Sequence, residues 1–218
     1  MQIDGVIFDF NGTLFKDSKY HESAWQQISY ELTGTKMSID DIRHYSHGAC
    51  NEAVIDRFTN HTLSKEDNLF YSRKKEALYR QMVQDDSNSA HLVDGAQKLF
   101  DYLKENQIPF TIASASIKEN IDFFFDFFQL NLWFDPNQII YDNGTYPNKV
   151  PMFLDALKEL QCDKENTLIF EDSFSGYQSA KEAGFKKIIM IYDDSKTIEE
   201  MQDFPFILKF IRTFDELF

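Results

Sequence analysis

The sequence predicts an α/β fold, a doubly wound parallel sheet interrupted early by an inserted all-helical cap. Three observations lead there. Short apolar runs without polar alternation suit strands buried on both faces: Val6-Ile7-Phe8, Phe110-Thr111-Ile112-Ala113, Thr167-Leu168-Ile169-Phe170 and Ile188-Ile189-Met190-Ile191. From residue 91 onward helical patterns separate these runs, which is the β-α alternation of a parallel sheet. Between 16 and 91 no such run occurs and the texture is helical. The expected division is therefore a Rossmann-like core of 1–15 with 92–218, and a helical cap of 16–91.

The first strand runs into Asp9, and Asn11-Gly12-Thr13 then breaks it. In the cap, Ala24, Trp25, Ile28 and Leu32 mark an amphipathic helix over 21–32, and further helices are expected over 38–45, 51–59 and 65–83. Ala96, Leu99, Phe100 and Leu103 form a helix face ahead of the strand 110–113. Ser116 and Glu119 have capping-box spacing and would open a helix through Phe123-Phe124-Phe125. A short strand is expected at 139–141. Pro151 suits the first turn of a helix facing inward with Phe153, Ala156, Leu157 and Leu160. The strand 167–170 leads through a helix over 175–183, closed by Gly184, to the strand 188–191.

A length of 218 residues allows one sizeable core, alone or with a smaller insert. The formal charge of −14 argues against nucleic acid or an anionic membrane as partner, and any phosphate chemistry then needs a cation placed locally. Cys50 and Cys162 have neither redox nor zinc spacing, as in a reduced intracellular chain. Met-Gln-Ile-Asp opens the chain without a signal-peptide pattern, and Glu119, Asp122 and Asp126 interrupt the Phe-rich run. The expectation is a cytoplasmic protein with no spanning helix.

Four stretches can carry chemistry. In an open α/β sheet ligands gather at the carboxyl ends of strands, so Asp9 is placed to act as nucleophile or metal ligand; its bland alternative is a turn residue bonded to local backbone. Ser114, following a strand, can offer a hydroxyl to a phosphate oxygen, or serve the turn alone. Lys149, in Tyr-Pro-Asn-Lys-Val-Pro, can supply the cation or be a solvated lysine. Glu171-Asp172 end another buried-type strand. With Asp9 they offer hard oxygen ligands of the kind Mg²⁺ takes, or they form an ordinary acidic loop.

In this order, Asp9-x-Asn11-Gly12-Thr13-Leu14, Ser114, Lys149 and Glu171-Asp172 with Gly176 and Ala183-Gly184, the chain resembles the haloacid dehalogenase-like superfamily of phosphoryl-transfer enzymes over essentially its whole length. It is most similar to the β-phosphoglucomutase and small-phosphatase branch. His21 with Ala24-Trp25, the Gly48 turn, Lys75 with Tyr79, and Ser114-Ala115-Ser116 echo that branch. The resemblance implies that Asp9 is the nucleophile forming an aspartyl-phosphate, and that Ser114 and Lys149 bind the transferring phosphoryl group. It implies a Mg²⁺ cofactor held by Asp9, the Asn11 carbonyl and Asp172, with Glu171 acting through water. Substrate contacts fall to Gly12, Thr13, His21, Asn51, Lys75 and Ala115, the substrate being a small phosphorylated metabolite. The cap would close over the site and exclude water.

One position departs from the family. Its phosphatases and mutases carry a second aspartate two residues after the nucleophile, as the acid–base group, and here that position is Asn11. An amide cannot shuttle a proton at neutral pH, and losing a general acid–base costs about 10²- to 10⁴-fold in rate. His21 is the candidate substitute, with a plain helix-start histidine as the alternative. After Gly48, Asn51 stands where the mutase has a basic residue, and an ordinary helix cap is the alternative there. Three functions remain open: a Mg²⁺-dependent phosphomonoester hydrolase, slowed by Asn11; a sugar phosphomutase; and a non-catalytic phosphometabolite-binding protein.

Overall fold

The computed structural model describes residues 2–46, 49–193 and 195–218. The Gly48 turn lies outside the described residues. The chain divides into two compact units, Met1–Lys16 with His91–Phe218, and Asp17–Ala90.

The first unit starts with β1 (Gly5–Phe8). The second then runs through α1 (Ser18–Thr33), α2 (Ile39–Ser46), α3 (Asn51–Phe58) and α4 (Lys65–Asp85). The first unit resumes with α5 (Ala96–Glu105), β2 (Phe110–Ile117), α6 (Lys118–Phe127), β3 (Ile140–Asp142), α7 (Lys149–Leu160), β4 (Thr167–Glu171), α8 (Phe174–Glu182), β5 (Ile188–Ile191), α9 (Ser195–Met201) and β6 (Ile207–Ile211). Among the described residues the strands form one six-stranded sheet in the order β3-β2-β1-β4-β5-β6, every neighbour parallel. This is the doubly wound fold that the apolar runs predict.

Each buried run serves two cores because side chains alternate across a strand. On one face Phe8 stacks on Phe170 with ring centroids 5.0 Å apart and meets Phe100 of α5, Phe134 and Phe214 edge-on. On the other face Ile7, Ile169 and Ile188 pack with Phe153 of α7 and Tyr177 and Ala180 of α8. Burying each of these large side chains contributes about 1.5–3 kcal/mol, which is why the central strands tolerate no polar alternation. In the helical unit Trp25 and Ile28 of α1, Ile42 of α2, and Val54 and Ile55 of α3 make a separate core.

Two elements, α9 and β6, have no counterpart in the sequence reading. β6 is an edge strand, with Leu208 and Lys209 exposed, so it lacks the continuous apolar run that betrays the central strands. The expected capping box at Ser116 is not formed. β2 extends to Ile117, which is itself the N-cap of α6 and makes no side-chain cap bond. The Ser116 hydroxyl is taken instead by Asn11, 105 residues away in sequence. No helix among the described residues is long and apolar enough to cross a membrane.

Candidate active site

Winding reverses between β2, β1 and β4, and in such a sheet the crevice at the carboxyl ends of these strands is where ligands bind. Asp9 follows β1 directly, Ser114 lies on β2, Glu171 ends β4 and Asp172 follows it. Lys149, the first residue of α7, completes the group.

Asp9 is 3% exposed, its backbone N–H donating to Phe170 O at 3.0 Å. Lys149 Nζ donates to Asp9 Oδ1 at 2.6 Å and also to Glu171 Oε1. The Thr13 hydroxyl donates to the other Asp9 oxygen, Oδ2, at 3.2 Å. Burial pushes the Asp9 carboxyl up to about 7, against the pull of Lys149, with the neighbouring Glu171 charge adding to the rise. Burial acts to lower the Lys149 ammonium, but the two carboxylates outweigh it and hold it well above the usual lysine range.

Glu171 is fully buried and fully engaged. Oε2 accepts from Asp172 N at 2.9 Å, Ser173 N at 3.1 Å and Ser173 Oγ at 3.1 Å, while Oε1 faces Lys149. It therefore fixes the turn after β4 and the lysine head together. Ser173 in turn caps α8, accepting from Gly176 N at 3.0 Å. Two glycines leave room for the carboxylates. A Cβ on Gly176 would lie 1.9 Å from Glu171 Oε1, and one on Gly12 would lie 2.0 Å from Asp172 Oδ2, where φ is also +80°. Gly176→Ala is expected to destabilise by about 1–3 kcal/mol, read as a lowered urea midpoint, because neither helix nor buried carboxylate can give way.

Asp9, Glu171 and Asp172 each present an oxygen within 4.8 Å of the others. An all-carboxylate set containing one ammonium carries excess negative charge, and hard oxygens of this kind suit Mg²⁺ rather than zinc or copper. The residues present thus fit a bound Mg²⁺.

Asn11 points its side-chain carbonyl at β2. Oδ1 accepts from Ser116 Oγ at 2.6 Å and from Ser114 Oγ at 3.3 Å, and Ser114 Oγ itself accepts from Ser116 N at 3.1 Å. Ser114 and Ser116 are two apart on an extended strand and so share a face, a signal present in the sequence but read there as a cap. Ala115 between them is exposed.

The cap residues singled out by sequence, His21, Asn51 and Lys75, come together inside the helical unit. Lys75 Nζ is 2.7 Å from His21 Nδ1 and 2.8 Å from Glu76 Oε1, and Asn51 Nδ2 donates to the same Glu76 oxygen at 2.7 Å. An ammonium only donates, so Nδ1 accepts and Nε2 carries the ring proton, 3.3 Å from Asp17 Oδ2. Both nitrogens of His21 are committed within this unit, and its ring stacks on Tyr79 at 4.0 Å. Asn51 is not a helix cap: α3 begins at Asn51, with Cys50 as its N-cap, and the amide is spent on Glu76. Glu76 was not legible as part of this cluster, because a carboxylate next to a lysine in sequence normally faces solvent. Burial acts to raise its carboxyl, yet the Lys75 ammonium above all overrides this and the group is held at about 2.

Known proteins agree with this layout. The model of the haloacid dehalogenase-like hydrolases matches residues 6–190. A HAD hydrolase, family IA, variant 3, from Entamoeba histolytica HM-1:IMSS is similar at 35% identity, over 98% of this chain and 95% of that one, with a TM-score of 0.88. β-Phosphoglucomutase (pgmB) from Clostridium difficile shares the fold at 20% identity, over 99% of this chain and 93% of that one, with a TM-score of 0.74. CbbY from Rhodobacter sphaeroides, in complex with phosphate, does so at 19% identity, over 99% and 96%, with a TM-score of 0.79. Strand order, the carboxylate trio on the central strand ends and the match over most of the chain lead to one assignment: the protein belongs to the haloacid dehalogenase-like hydrolases, family IA.

Proposed function

We infer that this hydrolase is a Mg²⁺-dependent phosphatase acting on a small phosphorylated metabolite through phosphoryl-Asp9. The observation that carries the reading is the Asp9 carboxylate, buried at the end of the central strand and held by Lys149 on one oxygen and Thr13 on the other. Two fixed donors aim one carboxylate, so the nucleophile loses little freedom when it attacks. Asp9, the Asn11 carbonyl and Asp172 would hold the metal, with Glu171 tying down Lys149 and the turn behind them. When bound, Mg²⁺ supplies positive charge that keeps Asp9 ionised and offsets the charge of the phosphoryl oxygens. Lys149 orients those oxygens, joined by Ser114 once its 3.3 Å bond to Asn11 is exchanged for one to phosphate, since phosphoryl transfer needs positioning and charge compensation more than covalent chemistry. The CbbY structures hold phosphate or xylulose-1,5-bisphosphate, and this supports a small phosphorylated substrate here too.

The test is a phosphate-release screen over sugar phosphates, nucleotides and acetyl phosphate, with Mg²⁺ and with EDTA, alongside Asp9→Asn. Release that needs Mg²⁺ and falls to background in Asp9→Asn is the expected result. Isomer interconversion without phosphate release would replace it with the phosphomutase reading. Phosphate binding with neither activity would replace it with the non-catalytic reading, which Asn11 favours.

A further inference from the structure

We propose that this site is built for phosphoryl donors whose leaving group departs as a stable anion, acyl phosphates above all, and that phosphoryl-Asp9 persists after transfer. The proposal rests on the aspartyl-phosphate reading above and concerns what Asn11 does to it. The Asn11 amide neither gives nor takes a proton, and its carbonyl already accepts the hydroxyls of Ser114 and Ser116. The pairing turns the amide toward β2 and uses both hydroxyls as donors. Thr13 spends its own hydroxyl proton on Asp9. Glu171 accepts on both oxygens, from the turn and from Lys149. Lys149 is the bridge between two carboxylates, and Asp9 is the nucleophile. These side chains fix geometry and charge, and none of them is arranged to hand a proton to a departing oxygen or to take one from water.

The consequence depends on the leaving group. An alkyl monoester would have to release an alkoxide, for which general acid help is normally worth about 10²- to 10⁴-fold. An acyl phosphate releases a carboxylate, the anion of an acid with a pKa of about 4, and needs no proton. In that step an Asp9 carboxylate oxygen forms a bond to phosphorus. The bond from phosphorus to the acyl oxygen breaks with its electron pair leaving on the carboxylate, so charge balances. In the second step water attacks phosphorus, the bond to Asp9 breaks, and dihydrogen phosphate forms with the Asp9 carboxylate restored. None of the side chains just named is placed to activate that water, so the second step is the slow one.

The experiment uses the full chain with Mg²⁺ and compares acetyl phosphate, a graded series of aryl phosphates and glycerol phosphate. Intact mass after quenching reports phosphoryl-Asp9. Expected are a kcat/KM that falls steeply as the leaving group becomes more basic, and a phosphoryl adduct accumulating from acetyl phosphate and absent in Asp9→Asn. Asn11→Asp should then reduce the preference for acetyl phosphate over glycerol phosphate by about 10²-fold or more and lower the steady-state adduct. The wild-type series reads the dependence by itself, so the test stands even where the variant folds poorly. A flat series with glycerol phosphate turned over as fast as acetyl phosphate overturns this proposal and leaves the phosphatase reading intact. Neither release nor adduct from any donor overturns both.

Discussion

Replacing Lys149 by methionine is expected to lower kcat/KM for phosphate release by about 10²- to 10³-fold, the usual cost of removing one placed charge-stabilising donor. The same change is expected to cost the metal-free protein about 3–5 kcal/mol, since it leaves buried charge without its partner. Lys149 bonds both Asp9 and Glu171, and the side chain of Glu171 is completely buried. Methionine fills much of the same space but cannot neutralise either carboxylate, so both must find protons or repel each other. Urea unfolding in EDTA measures the stability loss, and added Mg²⁺ should narrow the gap because another cation then meets the same carboxylates. An unchanged midpoint in EDTA would show that the carboxylates do not depend on this lysine.

The second large effect belongs to the helical unit, where Lys75→Met is expected to destabilise by about 3–5 kcal/mol. Lys75 is 2% exposed, and removing its ammonium takes the cation from the Glu76 carboxylate and the donor from the His21 lone pair together. Trp25, in the core of that unit, reports the transition by fluorescence once the other tryptophan is removed as Trp133→Phe. Acid supplies an independent readout. The Glu76 carboxyl is held down from 4.5 to about 2. Its contribution is therefore complete above pH 4.5 and lost as pH falls through about 2, a window worth about 3 kcal/mol. In Lys75→Met that acid-dependent loss should shrink, because the main partner holding Glu76 ionised is gone. A wild-type stability that stays level between pH 4.5 and 2 would contradict the depressed carboxyl.

The two clusters differ in how far they could be read in advance. Asp9 and Glu171-Asp172 stand at the ends of strands buried on both faces, while Ser114 lies within β2, which runs on past the expected end at Ala113 to Ile117. An apolar run closed by a polar residue marks such an end, and the winding of the sheet brings those ends together. Lys149 gains its role only through α7, whose first residue meets carboxylates on two different strands. The Asn11 pairing with Ser116 escaped prediction because local spacing favours a cap, whereas the hydroxyl found a stronger partner across the sheet. His21, Asn51 and Lys75 stand out in the sequence only through the family resemblance. Glu76, the partner that Asn51 and Lys75 share, carries no mark of its burial in the sequence.

By itself the sequence determined the parallel sheet, the helical insertion after the first strand and the order of the polar residues closing each strand. Those properties follow from local hydrophobic pattern and chain order. Tertiary structure alone decided which atoms bond: Lys149 bridging Asp9 and Glu171, Asn11 drawn to two serines, and a buried carboxylate gathering Lys75 and Asn51. The reason is physical. Hydrophobic burial is non-directional and tolerates a pattern, whereas a buried charge or hydroxyl needs one partner at bonding distance, supplied here from far along the chain.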